Sequence, residues 1–129
     1  MLSEFVKTAD WKSEKHVPVI ECAETAKAGE ALAITVSVGK EIAHPNNAAH
    51  HIVWIALHYV PEGAKTSVEI TRCEFSAHGA GVEGPDKGAA FTESTVTVKA
   101  KFAASGALYA TAYCNIHGLW SSEKKVTVA

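Results

Sequence analysis

Short runs in which bulky apolar side chains alternate with small or polar ones govern what this chain can fold into. In EALAITVSVGK, Leu32, Ile34, Val36 and Val38 alternate with Ala33, Thr35 and Ser37; in STVTVKAKF, Val96, Val98, Ala100 and Phe102 alternate with Thr97, Lys99 and Lys101. A period of two places one set on a single face of a strand and buries that face. HIVWIALHYV is apolar at both parities, as a central strand would be. Seven such segments, most rich in β-branched residues and bounded by Gly, Pro or Asn, lie near residues 17–25, 30–38, 51–60, 66–75, 94–102, 107–114 and 123–128. Pro18 and Pro61 fall at strand ends, where a missing amide donor is tolerated. No window of twelve or more residues carries a helical apolar period through to a cap. The expectation is an all-β fold, a seven-stranded antiparallel immunoglobulin-like β-sandwich without the antibody Cys–Trp–Cys pattern. SAHGAGVEGPDKGAAF, residues 76–91, reads as a long surface loop whose role the sequence does not supply, and the same holds for His58 and His78.

A chain of 129 residues can bury enough surface for one core, so one domain over 1–129 is expected. Its net charge of −2 and its only arginine, Arg72, argue against a nucleic-acid partner, which calls for a basic patch rich in arginine. The first twenty residues carry acidic side chains and no long apolar core, and no run approaches a membrane span. A cytoplasmic protein without membrane contact is expected. Cys22, Cys73 and Cys114 are odd in number, far apart and lack a CxxC pair, which is no disulfide framework.

Seven histidines are unevenly placed. His16 sits in EKHVP before the first strand, His44, His50 and His51 sit in HPNNAAHHI before the third, and His117 follows Cys114 in CNIHGLW. Taken singly, each is more often a surface or hydrogen-bonded residue than a ligand, and a lone Cys is more often a small buried hydrophobe. Together, four loop-flanking histidines and a Cys-x-x-His read as a metal site, because neutral imidazole is the commonest metal ligand and a thiolate adds a soft, strongly donating atom. Loops gathered at one end of a sandwich could bring these segments to one ion. Cys22 and Cys73, inside strand patterns, keep the packing role.

The residues leave the metal open. A cysteine and two histidines on a β-sandwich suit a blue-copper-like electron carrier, yet the usual axial ligand is missing: the only methionine is Met1 and there is no glutamine. Zinc in a closed tetrahedral set is a second choice, although more than four donors are on offer.

Taken in order, EKHVP, HPNNAAHHI and CNIHGLW resemble the superoxide reductases of the one-iron class, the neelaredoxins, with a desulfoferrodoxin-like iron-binding domain. The resemblance runs from about Trp11 to the end of the chain. It implies that superoxide is reduced to hydrogen peroxide at one non-haem iron (Fe2+/Fe3+) per chain. His16, His44, His50 and His117 are then the four equatorial ligands and Cys114 the axial thiolate, with His51 a neighbour that does not ligate. Glu14 matches the family's mobile carboxylate, a sixth ligand in the oxidised resting state. Lys15 matches the lysine beside the open position, suited to drawing in a small anion. The resemblance also implies rubredoxin or a similar electron donor and a homotetramer.

Overall fold

The computed structural model describes all 129 residues. Nine strands are present: β1 (Val6–Lys7), β2 (Val19–Glu21), β3 (Thr25–Ala26), β4 (Ala31–Ser37), β5 (Ile52–Pro61), β6 (Val68–Glu74), β7 (Thr95–Lys101), β8 (Gly106–Cys114) and β9 (Gly118–Val128). The larger sheet runs β1-β9-β8-β5-β6, with β3 also paired to β9, and the smaller runs β2-β4-β7. Between them, Ile34 and Val36 of β4 meet Ile55 and Leu57 of β5, Leu108 and Ala110 of β8, and Val126 of β9 in one apolar cluster. Leu57 is fully buried, so Leu57→Ala would cost about 3 kcal/mol through lost transfer energy and a residual cavity.

The all-β sandwich expected from the alternation is present, with β5 in the interior of its sheet. The count differs from seven for local reasons. The segment expected at 17–25 divides, since β2 pairs with β4 in one sheet while β3 pairs with β9 in the other. Residues 6 and 7 add a two-residue strand on β9. The pairings of β1 and β3 with β9 are parallel, so the sandwich is not wholly antiparallel. The last strand starts at Gly118, before the expected 123, because Ser121 and Ser122 interrupt its apolar pattern while continuous pairing with β8 carries the strand through them.

The functionally informative end is where β5 begins and β8 ends: Ile52 pairs with Cys114, and Cys114 with Gly118. The chain reverses through residues 115–117, and Gly118 takes φ 82°, a left-handed conformation that glycine adopts without a Cβ penalty. That hairpin tip, the loop 44–51 and the segment before β2 meet at this end.

Candidate metal centre

Cys114 closes β8 with its side chain on the core face and is fully buried. Its sulfur accepts the backbone N–H of His117 at 3.4 Å, so the turn sets the thiol and the histidine on one side of the hairpin. His16 arrives from the segment before β2 and is only 6% exposed, packed beside buried Val17 and Pro18. His50 comes from the loop before β5. One donor atom from each of His16, His50, Cys114 and His117 lies within 4.8 Å of all the others.

Hydrogen bonds fix which nitrogens face inward. Glu14 Oε1 lies 2.6 Å from His16 Nδ1, and a carboxylate beside it makes Nδ1 the donor, leaving Nε2 as a lone pair. That Nε2 is 3.0 Å from His117 Nδ1, which in turn is 3.2 Å from His50 Nε2. His44 lies beside this set, its ring centroid 4.9 Å from that of His16 and 4.8 Å from that of His50. Its Nδ1 donates to the Pro45 carbonyl at 2.7 Å, and its buried Nε2 has no hydrogen-bond partner. A buried nitrogen without a partner costs about 1–3 kcal/mol. His44 is not among the four donors that lie within 4.8 Å of one another, but its partnerless Nε2 lies beside them, so the donors present fit a metal that takes nitrogen and soft sulfur.

Burial drives the pKa of His44 down to about 4, against the opposing bond to Pro45, and the neighbouring His16, His50 and Lys15 charges add to the shift. Burial, then His117, His16 and Lys15, lower His50 as well. Both rings therefore keep a lone pair at neutral pH. Lys15, next to His16 in the chain, is half-buried, and its positive charge acts on both rings. For Glu14, burial pushes upward, yet the ring and backbone N–H groups of His16 and the backbone N–H of Lys15 hold it below the usual carboxylate range. Here Glu14 is the hydrogen-bond acceptor of His16.

His51 turns away from the cluster, its Nδ1 donating to Asn47 O at 2.9 Å. Outside it lie His58, 3.7 Å from Glu69, and the partly buried thiols Cys22 and Cys73, packed against the core.

Three residues of the site's surroundings escaped the sequence. Asn115 Oδ1 accepts the His51 N–H and its Nδ2 donates to Ala49 O, both at 2.9 Å, tying the hairpin tip to the histidine loop. Asn47 Oδ1 accepts the N–H groups of Ala49 and His50, the local turn for which asparagine is suited. Trp120 stacks on His16 with centroids 4.9 Å apart and donates Nε1–H to His117 O. Its position in CNIHGLW, three residues beyond His117, was the available signal.

The family model described as Desulfoferrodoxin matches residues 8–123. Neelaredoxin of Megalodesulfovibrio gigas is 49% identical over 98% of this chain and 98% of its own length. Superoxide reductase of Pyrococcus furiosus is 47% identical over 95% of this chain and 97% of its own. Among solved structures, the reduced superoxide reductase (neelaredoxin) of Archaeoglobus fulgidus superposes with a TM-score of 0.88 at 49% identity, covering 95% of this chain and 98% of that one.

Proposed function

This chain belongs to the desulfoferrodoxin family, and from that membership together with the donor cluster we infer that it is a superoxide reductase. The observation that carries the inference is the convergence of His16, His50, Cys114 and His117 within 4.8 Å, beside the partnerless His44 Nε2. The reaction adds one electron and two protons to superoxide and yields hydrogen peroxide. We assign iron as the metal, one per chain, held by His16, His44, His50, His117 and Cys114. Bound there, it would supply the single electron, with the sulfur donor making it electron-rich.

The remaining work falls to side chains. Lys15 offers a compact positive charge beside His16, which raises the local concentration of a small anion and orders water for proton delivery. Glu14 fixes the tautomer and plane of His16 through the Nδ1 bond, and as a carboxylate beside the donor set it would offer the metal a further oxygen ligand. Trp120 covers one face of His16 and keeps water from it.

Turnover needs an outside electron, for which we propose rubredoxin or a similar small donor. His117 is exposed and Ile116 beside it is 59% exposed, so a donor docked at the hairpin tip would touch the edge of the site. The homotetramer rests on the family resemblance, and exposed apolar Leu2 and Phe5 offer area for contact between copies. We read residues 1–129 as one iron-binding domain around one apolar cluster. A cytoplasmic location is in keeping with three free cysteines, and no helix is long and apolar enough to cross a membrane.

The test is metal analysis of protein made with iron available, beside Cys114→Ser, with visible spectra after oxidation. Equimolar iron and a thiolate-to-metal band lost in the variant are expected, followed by superoxide consumption without oxygen release. Copper, zinc or no metal would sink the reductase assignment, copper favouring the electron carrier and zinc or no metal a sandwich without redox chemistry.

A further inference from the structure

His44 and His50 lie in a loop without strand structure, yet ligands of one ion must hold position to within about 0.5 Å. Bonds to Asn47 within the loop and to Asn115 of the hairpin tip restrain its C-terminal half. A further restraint, which reaches Asn46 beside His44, comes from the Gly-rich segment after β6. Phe75, 4% exposed, roots that segment in the core, and its N–H donates to Val53 O. Two arms are then laced by backbone bonds from Thr92 N to Ala77 O at 2.7 Å, Gly79 N to Ala90 O at 3.0 Å and Gly88 N to Gly79 O at 2.7 Å. At Gly88 a Cβ would fall 2.5 Å from Ala80 O, so the arms can close only over glycine.

His78 is where this segment grips the ligand loop. It is 8% exposed, its Nε2 lies 2.6 Å from Phe75 O, and its Nδ1 lies 2.8 Å from Asn46 Oδ1. Asn46 Nδ2 lies 3.0 Å from Thr92 O, so its amide is held between that carbonyl and the His78 ring. The His78 ring lies on that of His51 at 3.6 Å and an interplanar angle of 5°. Farther along, Asp86 holds φ 62° and accepts the Ala48 N–H at 2.8 Å. Asn46 follows His44 by two positions and His51 adjoins His50, so one buried ring contacts the chain beside both histidines.

We propose that His78 is a positioning residue of the metal centre, fixing the loop of His44 and His50 through Asn46 and His51, with the laced Gly-rich segment as its brace. This rests on His44 and His50 being ligands. A flat ring with polar atoms on opposite edges can stack on His51 and still meet Phe75 O at one edge and the Asn46 side chain at the other. Phenylalanine keeps the stack and loses both polar links.

Metal-free wild type, His78→Phe, Asn46→Ala, the double variant and Tyr59→Phe are titrated with Co2+, reading the dissociation constant and the thiolate-to-cobalt band. Tyr59 is the control: its hydroxyl donates to Ala104 O, seven residues along β5 from the site end. His78→Phe and Asn46→Ala should each bind about tenfold more weakly with a displaced band. The double variant should bind no more weakly than the worse single one, because both cut one linkage. Tyr59→Phe should bind as wild type.

Folded variants that bind within about twofold of wild type with the band unmoved, or single effects that simply add, would overturn the role of His78 alone. Wild-type protein that develops no thiolate band would overturn the ligand set and the brace together. Should His78→Phe fail to fold, Asn46→Ala decides by the same criteria.

Discussion

His16 Nε2 and His117 Nδ1 face each other at 3.0 Å across 101 residues of chain. His16 donates its ring proton to Glu14, so a lone pair points at its neighbour. Metal binding should therefore show as stability. Co2+ at about 100 times its dissociation constant should stabilise the protein by about 2.7 kcal/mol, a rise of several degrees in Tm. His117→Ala should lose that rise while its metal-free Tm stays close to wild type, as thermal melts with and without Co2+ will show.

His44 Nε2 has no partner in the absence of metal. Replacing the ring by an apolar side chain removes that cost, offset in part by the lost bond to Pro45 O. His44→Leu should leave the metal-free protein as stable as wild type or about 1 kcal/mol more so, and abolish the gain on adding metal. Denaturant unfolding measures both, and destabilisation of the metal-free variant by more than that amount would contradict the orphaned nitrogen.

For Glu14, the bond to His16 and the family match separate two effects. Glu14→Ala should spare the first encounter with superoxide and alter the later approach to the resting state, read as two phases in rapid mixing. It should also weaken Co2+ binding about tenfold, because His16 loses the acceptor that orients it. Glu14→Gln, which keeps an acceptor, should recover much of that affinity. A large fall in the encounter rate would remove Glu14 from this role.

Lys15 acts through charge. Lys15→Ala should slow the encounter several-fold at roughly 0.01 M ionic strength, where fields reach about 30 Å, and flatten the dependence on salt. Lys15→Arg should keep the salt dependence. An encounter rate unchanged at low salt would exclude steering by this residue.

Acid should unfold the metal-free protein early. His44 titrates near 4 when folded against an ordinary 6.5, so between those values the unfolded chain binds a proton that the folded one refuses. Stability therefore rises with pH across that window, is fully present above 6.5 and drains as pH falls. His50, lowered by burial, acts in the same direction. Glu14, also lowered, adds a loss below its ordinary 4.5. Unfolding curves from pH 7.5 to 4.5 should slope accordingly, and His44→Leu should flatten them in part.

Much of this was legible in the residues. The alternation of Ile34 with Val36, and of Val96 with Val98, gave the buried faces of β4 and β7, because period two has one structural meaning when a face is buried. The short strands were not legible. Val6–Lys7 and Thr25–Ala26 are strands only because β9 offers them an edge, and two residues carry no period. At the site, the loop-flanking histidines and Cys114 stood out by position, but the acceptor of His16 and the missing acceptor of His44 exist only once the chain has folded. His78 and the Gly-rich stretch were opaque for the same reason: their partners, Asn46, Asp86 with Ala48, and His51, lie about thirty or more residues away in sequence.

The Cys114–His117 turn follows eight of the nine strands in chain order. While the polypeptide is being made, His16, His44 and His50 exist for a long interval before Cys114 can join them, and histidines alone do little to distinguish one divalent ion from another. Selection must wait until β8 has paired with β5 and the tip has turned. The full donor set thus exists only on a framework already built, and His117 is its exposed edge.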